Sequence, residues 1–268
     1  MVDSTSVAAE WEQAGEAWGE RAVDWAYLAE GLARPVYEAV LAATAVGGGT
    51  RLLDMACGAG LAASVAAARG AEVGGIDASE ALLRIAQERI PSADFRHGDM
   101  AALPWADASF DVVTSFNGIW AGHERALCEA RRVIRPRGLV GLAFFGPLDA
   151  VEHISVLAAL AELMPPHDAA TGGALLEIST PGVAEAMLDS AGFSPCARGC
   201  VVGVNEWPDE EVAWRAIASM GPSWAAIRHS GEDAVRSAVR SVLPQFRGPH
   251  AGYRLRARFD FVVGEAVA

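Results

Sequence analysis

Apolar residues in the first half of the chain form short runs separated by longer segments with helical spacing. Such runs predict buried strands, and the spacing between them predicts helices. The predicted strands lie near residues 51–55, 72–77, 94–97, 109–116 and 139–145, and the helices near 60–69, 79–89 and 122–135. This alternation is typical of an α/β fold with a parallel, doubly wound sheet.

The segment 51–60 carries the most specific signal. An apolar run ends in Asp54, and a turn with Gly58 and Gly60 then opens a helix. Glycine removes the Cβ that would keep a ligand from the backbone, and a helix N-terminus presents free N–H groups. The segment therefore predicts a ligand-binding turn, although Gly58-x-Gly60 alone is also found in ordinary tight turns and in nicotinamide-binding folds.

Polar residues close four of the predicted strands. Asp77 lies nineteen residues beyond Gly58, where an acid can take two ribose hydroxyls, and Asp99 and Asn117 follow the next two strands. Ligands of doubly wound sheets bind at the carboxyl ends of the strands. We therefore expect these side chains to surround one nucleoside-binding site.

Five segments together resemble the class I S-adenosylmethionine-dependent methyltransferases, in particular their bacterial small-molecule branch. The resemblance covers about residues 18–146, and its motifs are specific only in combination. They are Leu53-Asp54-x-x-x-Gly58-x-Gly60, Gly75-Ile76-Asp77-Ala78-Ser79, Gly98-Asp99-Met100-x-x-Leu103-Pro104, Ser109-Phe110-Asp111-Val112-Val113 and Glu129-x-x-Arg132-Val133-Ile134-Arg135-Pro136-x-Gly138. One departure is Arg137, which stands where glycine is usual, in a turn remote from the ligand.

The resemblance implies S-adenosylmethionine as cofactor and a role for each motif. Asp54 and the 58–60 turn would face the methionine portion, Asp77 the ribose, Asp99 with the Met100 backbone the adenine, and Asn117 the methionine end. The cofactor-binding residues it implies are Asp54, Ala56, Gly58, Gly60, Asp77, Ala78, Asp99, Met100 and Asn117.

The resemblance also implies a single domain with a Rossmann-like, seven-stranded sheet. Ala197–Val204 and Tyr253–Val263 would be strands six and seven, the latter antiparallel between strands five and six, although its alternation alone is typical of an edge strand. Residues 1–45 would form a helical cap, predicted as two helices, and 46–146 the cofactor-binding core. Residues 147–180 and 206–250 would be helical insertions that form a substrate lid.

A nicotinamide dinucleotide is the rival ligand for the same turn, with Gly58-x-Gly60-x-x-Ala63 as its fingerprint. That hypothesis leaves Asp54 and Asp99 without a role, and it places the Asp54 carboxylate near a pyrophosphate. A sulfonium carries positive charge, so acids attract it. The acids therefore favour S-adenosylmethionine.

Composition narrows the class of protein further. The formal charge of −13 would repel a polyanion, so we expect a small-molecule substrate, no nucleic acid and no membrane, in a monomer or homodimer. The acidic start of the chain has no leader pattern, which predicts a cytoplasmic protein. The four cysteines lack the spacing of a zinc site, and we expect small buried residues and no metal.

Methyl transfer needs an acceptor placed in line behind the sulfonium, so a catalytic side chain is optional. If the acceptor is a hydroxyl, a histidine could serve as base. His123 is our first hypothesis, because a helix start favours the neutral ring, although a capping or surface role is the plainer reading. The other possible bases are His153, His167 and His250, on the insertions.

Aromatic residues outside the predicted sheet suggest a flat or hydrophobic acceptor, with oxygen favoured over nitrogen or carbon as the methylated atom. The residues predicted to line its pocket are Trp18, Trp120, His153 and Trp214, although a tryptophan at helical spacing is more often core. Two other functions stay open: a protein of this fold that binds S-adenosylmethionine without methyl transfer, and a NAD-dependent oxidoreductase.

Overall fold

The chain alternates strands and helices through its first half and then adds a group of short helices between its last two strands. The structure, a computed structural model, describes residues 4–166, 177–248 and 252–267. The strands are β1 Arg51–Met55, β2 Glu72–Asp77, β3 Asp94–His97, β4 Phe110–Phe116, β5 Ile134–Phe145, β6 Phe193–Trp207 and β7 Tyr253–Ala266. The helices are α1 Ser4–Gly19, α2 Arg34–Ala43, α3 Leu61–Ala68, α4 Glu80–Arg89, α5 Glu124–Val133, α6 Ile154–Ala161, α7 Val183–Ser190, α8 Glu210–Ala218, α9 Gly221–Ser230 and α10 Glu232–Val242.

The seven strands form one sheet in the order β3-β2-β1-β4-β5-β7-β6. The pairs from β3 to β5 are parallel, and β7 is antiparallel to both β5 and β6. This order confirms the predicted doubly wound fold and the antiparallel strand between strands five and six. The expectation that Tyr253–Val263 has the character of an edge strand is wrong, because β6 covers the outer side of β7 and is itself the edge.

The N-terminal cap differs from the two helices predicted. Helix α1 runs through Gly15 to Gly19, and short α, π and 3-10 turns then fill residues 22–33 before α2 begins. Pro35 sits in the first turn of α2, where its missing N–H costs nothing. Proline lacks the N–H that would continue a helix from the preceding residues, so α2 begins as a separate helix after the short turns.

The two glycines of α1 mark a close contact. A Cβ on Gly15 would lie 2.0 Å from the carbonyl oxygen of Ala78, and one on Gly19 would lie 2.6 Å from Ser79 Oγ. The helix therefore packs its backbone against the loop after β2. A larger residue at either position would keep α1 from lying against this loop.

Four short helices, α6 and α8 to α10, pack together with the N-terminal turns in one apolar cluster. Its buried members include Ala29, Leu160, Trp207, Trp214 and Val239. Helix breaks at Gly221-Pro222 and Gly231 divide the predicted helical insertion over 206–250 into three helices. Parts of the predicted lid, with His167 and His250, lie outside the described residues.

The expectation that the cysteines are buried holds for Cys57 alone. Cys128, Cys196 and Cys200 are exposed, because they lie on the outer faces of α5 and of the edge strand β6. Among the described residues, no group of His, Cys, Asp and Glu has the arrangement of a metal site. In the same part of the chain, no helix has the length and apolarity needed to cross a membrane.

Arg137 lies in the turn at the start of β5 with φ +64°, in the left-handed region that favours glycine. Its side chain pairs with Glu265 at 3.2 Å on the surface. The following Gly138 has no room for a side chain, since a Cβ would lie 2.8 Å from the carbonyl oxygen of Asp111. The turn therefore carries backbone strain at Arg137 without a compensating contact of comparable energy.

We expect Arg137→Gly to raise the free energy of unfolding by about 1 kcal/mol, because glycine adopts this conformation at little cost. Urea denaturation at equilibrium measures it. Arg137→Ala is the control, since it removes the same ion pair and keeps the strained φ. A gain in the alanine variant equal to that in the glycine variant would contradict the explanation.

Candidate functional site

The turn between β1 and α3 lies at the carboxyl edge of the sheet, where four strand ends meet. Gly58 and Gly60 have φ of +55° and +78°, and Gly60 also has Ala86 2.8 Å from the position of a Cβ. Ala56 takes a left-handed φ of +57° in the same turn. Its methyl group fits because Gly118 opposes it, and a Cβ on Gly118 would lie 2.4 Å from the Ala56 Cβ.

Asp77, at the end of β2, is half-buried and fixes this turn. Its carboxylate accepts the backbone N–H of Gly58 at 2.7 Å and that of Ser79 at 2.8 Å. The Ser79 hydroxyl in turn caps α4 by accepting from Leu82 N–H. A carboxylate oxygen accepts more than one hydrogen bond, so Asp77 keeps acceptor capacity for the hydroxyls of a ribose.

Asp54, at the end of β1, is almost fully buried and accepts one hydrogen bond, from Thr114 Oγ1 at 2.8 Å. Burial, together with the negative charges of Asp77 and Glu30, raises the pKa of Asp54 to about 7. An ionised Asp54 is therefore costly in the protein alone. A cation bound nearby would favour its charged form.

Two buried polar atoms at the end of β4 lack a hydrogen-bond partner within the described chain. They are Ser115 Oγ and Asn117 Oδ1. Asn117 is also held at φ +58°, with its N–H donated to the carbonyl of Ala143. Strained backbone and unpaired buried polar atoms cluster at ligand sites, and here both residues lie at the end of β4, next to the end of β1 that carries Asp54.

Asp99 and Met100 lie beyond β3 on the other side of Asp77. The Asp99 carboxylate accepts the N–H of Ala101 at 2.8 Å, and the half-buried Met100 packs against the core of the sheet. Glu129 and Arg132 of α5 hold the loop that follows: Glu129 accepts Leu103 N–H at 2.7 Å, and Arg132 donates to the Leu103 carbonyl at 2.9 Å. The Glu-x-x-Arg motif thus positions the loop and does not enter the site.

His123 is the residue at which α5 begins, as expected. Its ring lies 4.4 Å from that of Trp120, and its Nδ1 accepts the Trp120 N–H at 3.3 Å. Burial lowers the pKa of His123, and the charge of Glu124 opposes that shift only in part. The ring lies in the loop between β4 and α5, beside Trp120.

A group of aromatic side chains lies on the Asp54 face of the sheet, where sequence reasoning did not place it. Strand register puts Asp54 opposite Thr114, and Phe116 opposite Ala143, so Phe116 and Phe145 share that face. The ring contacts are Tyr37 with Phe116 at 4.6 Å, Phe145 with Phe259 at 5.1 Å, and Phe145 with His153 at 4.7 Å. We call Tyr37, Phe116, Phe145, His153 and Phe259 the aromatic wall.

The residues predicted to line a pocket are not brought together. Trp18 packs on Trp25 at 4.7 Å, and Trp214 lies in the core of the helical cluster with 2% of its surface exposed. Trp120 lies beside His123, and only His153 joins the aromatic wall. His153 is 5% exposed, its Nδ1 has no partner, and burial lowers its pKa to about 4.

Sequence reasoning missed Glu30 and Arg89, which also reach the turn. Glu30, from the N-terminal cap, is 4% exposed and accepts the N–H of Leu61 at 3.1 Å and a hydrogen bond from Arg89 Nη1 at 2.6 Å. No sequence motif indicates either residue, because their roles depend on how the N-terminal cap packs against the turn. The Glu30 carboxylate stands at the start of α3, where a dinucleotide needs its pyrophosphate, so the nicotinamide hypothesis does not fit the site.

The sheet order is that of the class I S-adenosylmethionine-dependent methyltransferase fold. Residues 53–142 match the family model described as a methyltransferase domain, and this part of the chain is a class I S-adenosylmethionine-dependent methyltransferase domain, as the sequence predicted. Members of this family use S-adenosylmethionine as cofactor. The predicted family, fold and cofactor are confirmed.

Curated relatives match the same region. A demethylmenaquinone methyltransferase of Renibacterium salmoninarum is 40% identical over 99 residues, which are 36% of this chain and 42% of that protein. An uncharacterised protein of Mycobacterium tuberculosis is 35% identical over 135 residues, 46% of this chain and 49% of that protein. The chain thus matches less than half of the length of these relatives.

Solved structures share the fold over most of the chain. A structure from Anaeromyxobacter dehalogenans, assigned as a type II methyltransferase, has a TM-score of 0.62 and 20% identity and covers 87% of this chain and 96% of its own. A [4+2]-cyclase has a TM-score of 0.53 and 20% identity, with 87% and 82% covered. At this identity the likeness concerns the fold alone.

The residues at the strand ends fit the family's cofactor. Its sulfonium and ammonium groups are cations, and the site holds three carboxylates, Asp54, Asp77 and Glu30, against one guanidinium, Arg89. Its amino-acid end also offers donors and acceptors for the unpaired Ser115 Oγ and Asn117 Oδ1. Charge and unpaired polar atoms therefore both agree with S-adenosylmethionine.

The pKa of Asp54 predicts how cofactor binding depends on pH. In the protein alone the proton stays on Asp54 below about pH 7, and a bound cation favours its release. The dissociation constant of S-adenosylmethionine should therefore fall by about tenfold from pH 6 to pH 8, with no further gain above. Titration calorimetry across this range measures it, and Asp54→Asn should lose the dependence.

Titration of the ligand's own amino group affects the parent and Asp54→Asn alike, so the comparison isolates Asp54. If the variant binds too weakly, calorimetry of the parent at pH 6 in two buffers of different ionisation enthalpy counts the protons. Release of close to one proton on binding is expected. Binding without proton release at pH 6 would show that the cofactor does not act on this carboxylate.

Proposed function

We propose that this protein transfers a methyl group from S-adenosylmethionine to a small, aromatic or hydrophobic metabolite, with oxygen as the favoured acceptor atom. One observation carries the proposal: strand register places Asp54, beside the glycine turn, on the same face of the sheet as Phe116 and Phe145 of the aromatic wall. The cofactor would lie along the strand ends, and a flat acceptor would lie beside Phe116 and Phe145. Methyltransferase membership supports the reaction, and the wall supports the acceptor class.

The cofactor-binding roles implied by the sequence agree with the positions of the residues. Asp77 would take the ribose hydroxyls, and Asp99 with the Met100 backbone would take the adenine edge. Asp54, the backbone of Ala56, Gly58 and Gly60, and Asn117 would hold the methionine end, with Ala78 beside the ribose. When bound, S-adenosylmethionine supplies a methyl carbon activated by its sulfonium.

The acceptor oxygen forms a bond to that methyl carbon while the carbon–sulfur bond breaks, and the hydroxyl proton must leave. His153 suits this role better than His123, because His153 belongs to the aromatic wall and its Nδ1 is unpaired among the described residues, whereas Nδ1 of His123 accepts the Trp120 N–H. Its burial-lowered pKa keeps the His153 ring neutral at pH 7, so Nδ1 accepts a hydrogen bond from a hydroxyl. It is a weak base at that pKa, so most of the rate enhancement would come from positioning the acceptor.

The first curated relative supports an apolar acceptor, since its name specifies demethylmenaquinone. A second function is favoured by another comparison: a [4+2]-cyclase shares this fold, and a fold does not fix a reaction. In that alternative the chain would bind S-adenosylmethionine without transferring its methyl group. Formation of S-adenosylhomocysteine with any member of a phenol, quinol and amine panel separates the two.

Thermal unfolding tests the cofactor first. S-adenosylmethionine and S-adenosylhomocysteine, each at a hundredfold its dissociation constant, should stabilise the fold by about 2.7 kcal/mol. NADH at the same concentrations should leave the transition unchanged, because Glu30 occupies the start of α3. Stabilisation by NADH alone would overturn the proposed function.

Substitution of the strand-end acids tests the binding residues. We expect Asp77→Asn and Asp99→Ala each to raise the dissociation constant of S-adenosylhomocysteine by about tenfold or more, because each loses an acceptor worth about 1.5 to 3 kcal/mol. Calorimetry measures the constants. Asp189→Asn, at an exposed acid of α7, is the control and should bind like the parent. Parent-like binding by both site variants would refute the assignment.

A further inference from the structure

We propose that Glu30, locked in place by Arg89, is a positioning residue for the cofactor: it sets the glycine turn in its binding conformation and fills the helix N-terminus that a phosphate would otherwise use. The inference rests on the proposed function and adds a residue that lies outside the 53–142 match. It concerns a side chain delivered by the N-terminal cap, not by the sheet.

The Glu30 side chain binds to the backbone at the end of the turn. One carboxylate oxygen accepts the N–H of Leu61, the first residue of α3, at 3.1 Å, and the other accepts from Arg89 at 2.6 Å. The first N–H groups of a helix have no partner within the helix and attract anions. Glu30 therefore supplies the anion that in a dinucleotide fold comes from the ligand.

Arg89 connects the same turn to the cap. Its Nη1 also donates to the carbonyl of Ala59, inside the glycine turn, at 2.7 Å, and its Nη2 donates to the carbonyl of Ala26 at 2.9 Å. The fixed fork of a guanidinium makes these bonds together, which a lysine cannot reproduce. Arg89 and Glu30 thus form one unit with the turn between them.

The unit also borders the ligand face of the turn. A Cβ on Gly58 would lie 4.0 Å from Glu30 Oε1 and 3.8 Å from Trp25 Nε1. Gly58 donates its own N–H to Asp77 and Leu61 donates to Glu30, so the turn is held at both of its ends. A shift of the Glu30 carboxylate would therefore move the turn relative to Asp77.

Fold stability alone does not account for this pair. Glu30 is 4% exposed and its Arg89 partner 18% at the side chain, and burying two charges costs about as much as their attraction returns. Burial raises the pKa of Glu30, and Arg89 only partly opposes that shift. Burying both charges has a desolvation cost, and both side chains bond to the backbone of the turn. We therefore explain the pair by its role in holding that backbone in position.

The test measures the dissociation constants of S-adenosylmethionine and S-adenosylhomocysteine by calorimetry at 15 °C, with the melting temperature of each variant. We expect Glu30→Gln and Arg89→Met each to raise both constants by about tenfold or more. The double variant should be no more than about twofold weaker than the singles, because the residues act as a unit. Arg89→Lys should bind between the parent and Arg89→Met.

The matched control is Glu38→Gln. Glu38 pairs with Arg34 at 3.1 Å on the exposed face of α2, so the same chemical change removes an ion pair of the same cap. It should bind within about twofold of the parent. If Glu30→Gln does not fold, the difference between Arg89→Lys and the parent decides the question.

Each other outcome overturns the inference. A lower melting temperature for Glu30→Gln with an unchanged dissociation constant would show a role in folding alone, and equal effects of Glu30→Gln and Glu38→Gln would show an unspecific charge effect. If the parent binds neither ligand, the proposed function fails together with this inference. If the parent binds both and Glu30→Gln binds as tightly, only this inference fails.

Discussion

The backbone N–H groups of the turn between β1 and α3 need fixed acceptors, and this requirement organises the molecule. Asp77 accepts from Gly58 and Glu30 accepts from Leu61, so the turn is held from β2 on one side and from the N-terminal cap on the other. Gly60 must remain a glycine for the turn to pack on α4. The parallel sheet brings the strand ends close enough for all of these bonds.

Because carboxylates hold the turn, negative charge is concentrated in a buried region. Asp54 shares the region with Asp77 and Glu30, and among the described residues only Thr114 donates a hydrogen bond to it. The protein therefore carries an electrostatic cost in the absence of ligand, visible in the raised pKa of Asp54. A cationic cofactor reduces that cost, so the same groups that shape the turn favour S-adenosylmethionine over an anionic dinucleotide.

The aromatic side chains lie in two separate apolar clusters. Most tryptophans of the cap and of the helical cluster are packed in apolar interiors, where Trp207 and Trp214 stabilise the cluster. The aromatic wall packs in a second cluster, between the sheet and α2 on the Asp54 face, with His153 against Phe145. Helical spacing in the sequence pointed to the tryptophans. The aromatic wall could be recognised only from the strand register, which places Phe116 and Phe145 on one face.

The sequence by itself determined the parallel core and the strand-end acids, because both depend on local signals: apolar runs of strand length, glycines where φ must be positive, and an acid after each run. Asp54, Gly58, Asp77 and Asp99 could be read in this way. Tertiary structure alone decided which distant residues complete the site. Glu30 lies thirty-one residues before Leu61 and fifty-nine before Arg89, and no periodicity encodes such a contact. His153 and the aromatic wall likewise depend on how the helices fold back, since packing between elements far apart in the chain leaves no pattern in either segment.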